Sequence, residues 1–350
     1  MKRVVLFFVA IFFCSSLFAT VVEKKYNKSF NKGSISELNI HNAYGSISIE
    51  QVRGNKIIFN VVVTAKSSNN VKAEKLLTAI DFYDRLNNNS LDFGTNFVKK
   101  IGFVDKVLGS SITVDYIVKV PYGVDLKVQN KEGDIYIGDF TGELNLTLDS
   151  GALTLGNVLG NYRCYVSLNS GSFRIGNVRH LTCDLKSSMM SVESCDRLKM
   201  NASSTSGVIK SVNSADLITN GGEIRIDKVE DLKIMSSTSK IIVKDLGNML
   251  NCKVKKGQLY VNSVHYSFDS MDIDSSLAII KLDFMKNCGF NLNLSYNSLS
   301  KLNLPSNINL VKRSDVASPK VKSGFIGNRE FDGNVNISLQ NSKLTLGQVK

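Results

Sequence analysis

Hydrophobic and polar residues alternate along most of this 350-residue chain, and the alternation comes in short phrases that recur. Each phrase opens on a small residue and places apolar side chains two and four positions on. The series runs Gly133-Asp134-Ile135-Tyr136-Ile137, Gly151-Ala152-Leu153-Thr154-Leu155 and Gly171-Ser172-Phe173-Arg174-Ile175. It continues with Ser188-Met189-Met190-Ser191-Val192, an irregular copy at Gly207-Val208-Ile209, and Gly222-Glu223-Ile224-Arg225-Ile226. Ser239-Lys240-Ile241-Ile242-Val243, Gly257-Gln258-Leu259-Tyr260-Val261 and Ser275-Ser276-Leu277-Ala278-Ile279 complete it. Successive anchors lie 18, 20, 17, 19, 15, 17, 18 and 18 residues apart.

A second alternating run precedes each anchor, as in Leu144-Asn145-Leu146-Thr147-Leu148 and Cys164-Tyr165-Val166-Ser167-Leu168. Period-two alternation sends one set of side chains inward and the other into water. Asp149-Ser150-Gly151, Asn169-Ser170-Gly171 and Asn220-Gly221-Gly222 stand between the runs and are turn formers. Two short strands and two turns per unit predict an all-β chain, a parallel β-solenoid with coils of about 18 residues. One such coil cannot bury enough surface to order itself, so stability has to come from stacking. An antiparallel sandwich or barrel also has short strands at regular spacing, but with less uniform phrases.

The ends differ from the middle. Residues 20–120 form an N-terminal β region with looser phrases, such as Tyr44-Gly45-Ser46-Ile47-Ser48-Ile49. Within it, Leu76, Leu77, Ile80, Tyr83 and Leu86 share one helical face opposite Lys72, Glu74 and Lys75. That spacing predicts an amphipathic helix over 71–86 covering an end or flank of the solenoid. Asn87-Asn88-Asn89-Ser90 reads as a turn, and residues 112–120 as a strand ended by Pro121. Regular coils are expected over 121–285, and irregular coils with a C-terminal cap over 286–350. Residues 314–329 read as a loop, and Val335-Asn336-Ile337-Ser338-Leu339 with Leu344-Thr345-Leu346 as the final coil or cap.

The chain begins Met1-Lys2-Arg3, then an apolar run over 4–13 that ends in small residues up to Ala19. A basic head and an apolar core of about ten residues are the pattern of a secretory signal peptide, residues 1–19. Cleavage after Ala19 is expected, leaving Thr20 first. The core is shorter than the roughly 20 residues a membrane span needs. Cys14 follows Phe12 and Phe13, whose bulk fits a lipidation site poorly, so it is expected to leave with the leader. The mature product is expected to be exported, periplasmic or associated with the cell envelope or surface, with no transmembrane helix.

This order of phrases resembles the bacterial β-solenoid family called the putative adhesins. Leu38-Asn39-Ile40, Tyr44-Gly45-Ser46-Ile47-Ser48-Ile49, Val120-Pro121-Tyr122-Gly123 and the coils carry the likeness, with Ser338-Leu339-Gln340-Asn341-Ser342-Lys343-Leu344 at the close. The likeness covers residues 30–347 and implies an exported, adhesive protein. It transfers no catalytic residues.

Catalysis needs groups that converge and tune one another. His41, His180 and His265 stand in separate segments with no metal-ligand spacing, and no phosphate loop or nucleophile elbow is present. Asp134, Asp139, Asp149, Glu223 and Asp227 fall on outward positions, where solenoid charges ordinarily lie. Five cysteines remain after the leader: Cys164, Cys183, Cys195, Cys252 and Cys288. Cys164 and Cys183 occupy equivalent places in successive units and are expected to fill the core rather than to form a bridge. No catalytic, cofactor or metal residues are therefore assigned, and no enzyme activity is expected.

Lys and Arg outnumber Asp and Glu by 43 to 31, a net charge of +12. The excess reads as spread along the coils, with Lys244, Lys253, Lys255, Lys256, Lys281 and Lys286 prominent in the later ones. Export argues against nucleic acid. An anionic glycan, an envelope component or a matrix protein is the expected ligand. The expected function is a non-enzymatic adhesive or structural surface, with contacts from outward residues such as Tyr136, Arg174, Arg225 and Tyr260. The rivals are a polysaccharide-active enzyme and an envelope assembly factor whose partner adds strands to an open solenoid end.

Overall fold

The computed structural model describes residues 20–97, 110–305, 310–314 and 319–348. The expected leader, Cys14 included, lies outside the described residues. The described chain is all-β apart from one helix, and its 24 strands join in one sheet. Its N-terminal part holds β1 (Thr20–Asn31), β2 (Glu37–Tyr44), β3 (Ile47–Val52) and β4 (Lys56–Ser67). Helix α1 (Asn70–Leu77), β5 (Ile80–Asn87), β6 (Ser90–Phe97) and β7 (Ser111–Pro121) follow.

A long parallel stack makes up the middle. It runs through β8 (Asp125–Glu132), β9 (Ile135–Ile137), β10 (Leu144–Leu155), β11 (Arg163–Lys186), β12 (Ser188–Ser203) and β13 (Ser206–Asn220). It goes on through β14 (Glu223–Ser237), β15 (Lys240–Lys255), β16 (Gln258–Val264), β17 (Ser270–Ser276) and β18 (Ile279–Phe284). The last strands are β19 (Gly289–Tyr296), β20 (Lys301–Asn303), β21 (Val311–Ser314), β22 (Lys320–Gly327), β23 (Gly333–Gln340) and β24 (Lys343–Gln348).

Alternation decides which side chains go inside. One inward column runs Cys183, Met200, Leu217, Ile234, Cys252, Ile273 on successive rungs, all buried. A second runs Val192, Ile209, Ile226, Val243, Val261, Leu282. A third inward position, beyond the two strands expected per unit, stacks Val178, Cys195, Val212, Val229 and Leu246. Together they form one continuous apolar core, the main source of stability for the stack.

The corner between the two long runs repeats a small device. Ser187, Ser204, Thr238, Lys256 and Asn341 all take a positive φ, and the next residue is buried. Where that residue is Ser188, Thr205, Ser239 or Ser342, its buried hydroxyl donates to the carbonyl two residues before, at 2.5–3.2 Å. A small side chain is required there because the hydroxyl satisfies a backbone acceptor inside the core. This is the physical origin of the small anchor at Ser188 and Ser239 in the repeating phrase.

Two anchors are corrected by this register. Gly207 pairs with Met190 and Ile224, so it stands at an inward position; the corner residue of that coil is Thr205. Glycine is there because a Cβ would meet Met190 Cγ at 2.1 Å. The second correction concerns the coil after Gly257. Its inward pair is Ile280 and Leu282, while Leu277 and Ile279 are exposed. Extra residues at the turn around Phe268 lengthen that circuit and shift the anchor from Ser275 to Ala278.

The helix is half its expected length. Asn69 caps it by accepting Lys72 N–H at 2.9 Å, Thr78 ends it, and Ala73 and Leu77 bury against β1 and β4. Ile80, Tyr83 and Leu86 belong instead to β5, an antiparallel hairpin with β6 turning at Asn88, whose φ is +52°. The Phe82 ring stacks on Tyr26 at 4.6 Å, which the strand permits and a helix would not need. Residues 320–327, expected as loop, form β22 because their backbone pairs antiparallel with β19.

Both ends of the stack are built by intercalation. β2 lies between β6 and β8, and β3 between β7 and β9. At the other end β23 lies between β17 and β19, and β24 between β18 and β20. The segment expected as the final coil is therefore internal, with β19 and β20 outside it. Antiparallel strands then cover the parallel stack: β4 and β1 over β7, β5 over β6, and β22 over β19. Aromatic side chains fill both ends, with Phe59 on Phe93 at 4.0 Å and Phe284 on Phe290 at 4.5 Å.

Candidate functional site

Outward side chains stand in columns set by the same register. We call the outward side of β8, of the first half of β10, of both ends of β11, of the second halves of β12 to β15, and of β17, β23 and β19 the first face. One of its columns runs from Lys127 through Asn145 and Tyr165, and further along through Ile218, Met235, Lys253, Asp274 and Ser338. Tyr165 continues it to the next rung by donating to Asp184 at 2.6 Å, a bond that raises the phenol's pKa.

Three concavities open on this face. The first, of about 370 Å³, is lined by Asp125, Lys127, Glu143, Asn145, Arg163 and Tyr165. The second, of about 470 Å³, lies over Ile218, Met235, Lys253, Lys255 and Asp274. The third, of about 460 Å³, shares Lys253 and Asp274 with the second and adds Asn251, Asp272, Asn293 and Asn336. Val321 of β22 walls its far side. Second and third thus join into one trough along the stack axis.

The floor of the trough is held by an amide ladder. Asn336 Nδ2 donates to Asp272 Oδ1 at 2.9 Å, and Asn293 Nδ2 donates to Asn336 Oδ1 at 3.1 Å. Each bond spans two neighbouring rungs, so the ladder fixes the side chains and leaves their remaining donors and acceptors facing out. Ile218 and Met235, about half exposed, supply the apolar part. The ladder was not foreseen in the sequence, because β17, β23 and β19 become neighbours only through the intercalated topology. The alternating amides Asn334, Asn336, Asn291 and Asn293 were the available signal.

The four contact residues expected from the sequence lie on the second face. Tyr136, Arg174, Arg225 and Tyr260 share one column, separated by Thr154, Ser191, Val208 and Ile242. Three of them are turned to a neighbour two residues away in the chain: Tyr136 to Asp134 at 2.9 Å, Tyr260 to Gln258 at 3.0 Å, and Arg225 to Asp227 at 3.2 Å. None of the described concavities lies over this column.

The outward carboxylates are tied to adjacent rungs. Asp134 accepts Ala152 N–H at 2.8 Å, and Asp139 accepts Asn157 N–H at 2.7 Å. Asp149 accepts from Asn169 at 3.4 Å, and Glu223 bonds Lys240 at 2.9 Å. Lys244 at 2.7 Å, with Arg225, holds the Asp227 carboxyl below the usual range. That is the opposite of what a general acid needs. His41 contacts Gln129, His180 contacts Asn161 and His265 contacts Ser267, on three separate elements. Among the described residues no group of three or more His, Cys, Asp or Glu is placed to hold a metal ion.

All five described cysteines are free and buried. Cys164 and Cys183 sit on successive rungs of the core, one on each side of the step that Tyr165 and Asp184 bridge. Among the described residues no helix is long and apolar enough to cross a membrane.

Charge is not spread as expected. Residues 121–284 carry 18 Lys and Arg against 19 Asp and Glu. Residues 20–120 carry 14 against 9, and residues 286–350 carry 9 against 3. The long stack is close to neutral by composition, and some of its charges pair rung to rung, as in Lys210–Glu193 and Arg179–Asp196. The excess belongs to the two ends.

No family model and no curated protein matches the chain. Among solved structures it is similar to a putative adhesin from Parabacteroides merdae, at 16% identity and a TM-score of 0.38, over 73% of this chain and 95% of that one. It is similar to a putative adhesin from Bacteroides fragilis at 10% and 0.34, over 73% and 96%. A putative lipid binding protein from Parabacteroides distasonis matches at 16% and 0.33, over 73% and 93%. At these identities and scores the function has to be argued from the residues of this chain.

Proposed function

We propose that the chain is an exported, non-enzymatic β-solenoid of roughly 18-residue coils whose first face binds an extended, largely uncharged polysaccharide outside the cytoplasm. One observation carries the reading: the three described clefts of the long faces all open on the same side of the stack, two of them joined end to end. A linear polymer lying along the axis would meet one outward side chain of the first-face column at each rung, polar at Lys127, Asn145, Tyr165, Lys253, Asp274 and Ser338 and apolar at Ile218 and Met235. Amides and hydroxyls of Asn251, Asn293, Asn336 and Ser338 offer paired donors and acceptors suited to sugar hydroxyls. Ile218 and Met235 offer apolar contact for a sugar ring. The neutral charge balance of this stretch favours an uncharged polymer over the polyanion expected from the overall charge. On this face Asp125, Glu143 and Asp272 accept hydrogen bonds from neighbouring rungs, which favours binding over cleavage.

The test is a polysaccharide array and pull-down with residues 20–350, followed by product analysis. Binding to at least one neutral polymer is expected, without release of sugars. Replacing Asn336→Asp and Asn293→Asp would line up three carboxylates with Asp272 and weaken binding at least ten-fold. Arg174→Ala and Arg225→Ala on the second face should leave it unchanged. Loss of binding on the second face alone, or chain cleavage by the pure protein, would overturn the reading.

A further inference from the structure

The basic C-terminal end of the stack presents a surface that the clefts do not use. The turn between β19 and β20 carries Leu299, 70% exposed, at its tip. That turn is rigid: Ser300 donates to Asn297 Oδ1 at 2.7 Å, and Asn341 N–H donates to the same oxygen at 3.0 Å. Lys301 follows at once and stands directly opposite Lys343 of β24, with Ile279, 38% exposed, on the next rung. Lys320 stands opposite Tyr296, the residue before the turn, and the Lys322 ammonium lies 5.7 Å from the Tyr296 ring centre. None of these four lysines forms an ion pair with a described residue.

Like charges directly opposite on neighbouring strands are unfavourable. Elsewhere on the long faces several outward lysines stand opposite acids, as Lys240 does Glu223, Lys233 Asp216 and Lys253 Asp274. Here the column Ile279–Lys343–Lys301 has no acid within it. Two partners would relieve the repulsion: a soluble polyanion or an anionic lipid surface. The fixed, exposed Leu299 and the neighbouring Ile279 favour the lipid surface, because an apolar side chain set among lysines gains by entering the headgroup region. We propose that this end docks on anionic bilayers through Leu299, Lys301 and Lys343, with Lys320 and Lys322 at the rim. The contact leaves the first face free, so it stands or falls apart from polysaccharide binding.

Co-sedimentation of residues 20–350 with phosphatidylglycerol–phosphatidylcholine vesicles tests it, with pure phosphatidylcholine as the reference. Binding only to the anionic vesicles is expected, weakening several-fold as salt rises. Leu299→Ser and the pair Lys301→Glu with Lys343→Glu should each lower binding about ten-fold with unchanged melting temperatures, since all three side chains are exposed. Lys186→Glu, on the neutral stack, should have no effect. No binding to anionic vesicles, or binding indifferent to all three changes, would refute the proposal. Full competition by dextran sulfate together with indifference to Leu299→Ser would refute it in favour of a soluble polyanion.

Discussion

Met271 of β17 faces Val335 of β23 directly across a parallel ladder, although 64 residues separate them in the chain. Val335 in turn faces Leu292 of β19 on its other side. The chain therefore lays down β17 and β18, builds β19 to β22 beyond them, and only then fills the gap with β23 and β24. Without β23, β17 and β19 would present facing edges with no partner between them.

This topology predicts a local and asymmetric response to damage at the C-terminus. Val335 is fully buried. Val335→Asp would place an unpaired charge between two rungs and should cost more than about 4 kcal/mol locally. Hydrogen exchange should rise in 270–284 and 289–303 while 163–255 stays protected, because stacked repeats report chiefly on their neighbours. Uniform loss of protection along the whole chain would contradict the intercalated arrangement.

Neighbouring residues in the stack should differ sharply. Ile224 is fully buried, whereas Glu223 points outward to Lys240 at 2.9 Å. Ile224→Asp should cost more than about 4 kcal/mol, the scale for burying a lone charge. Glu223→Lys loses an exposed ion pair and should cost at most about 1 kcal/mol. Denaturant titrations of the two variants measure the contrast, and similar midpoints would mean that the register is wrong.

What could be read in the sequence was whatever repeats locally. The inward pairs Leu153 and Leu155, Phe173 and Ile175, and Ile241 and Val243 were legible because alternation and a small corner residue fall within five positions. Gly207 misled because glycine serves two purposes here, a corner and a space for Met190, and only the neighbouring rung tells them apart. Helix α1 was over-extended because Ile80, Tyr83 and Leu86 suit both a helical face and a strand. Their pairing with β6 decides the matter. The trough escaped notice for a third reason: Asp272, Asn336 and Asn293 meet through contacts 43 and 64 residues long.

The thiols give a chemical readout of the core. Burial raises the pKa of Cys164, Cys183 and Cys252 well above the ordinary thiol value, that of Cys195 to about 12 and that of Cys288 to about 11. Folded protein should therefore resist alkylation at pH 8, and all five thiols should react in denaturant. Cys288 should be the first to react as pH rises. The folded state binds more protons than the unfolded one above about pH 9, where unfolded thiols ionise. Stability should accordingly fall as pH climbs from about 9 through 11 and 12. Rapid labelling of Cys183 at pH 8 would show that its column is open to water.

The early coils depend on a glycine corner of a different kind from the hydroxyl corner that follows. Gly151 and Gly171 adopt φ of +138° and +137°, and a Cβ on Gly171 would meet the Gly151 carbonyl oxygen at 1.9 Å. Backbone lies against backbone there, so no side-chain rearrangement can make room. Gly171→Ala should cost about 3 kcal/mol through strain and overlap together. Gly221 is the control: its φ is +75°, but a Cβ would find its nearest neighbour at 3.8 Å. Asn tolerates that backbone region, so Gly221→Asn should change stability by less than about 1 kcal/mol. Thermal melts of the two variants separate close approach from backbone freedom: equal losses would mean that φ alone matters, and a large loss at Gly171 only would show that the spacing of the rungs sets the requirement.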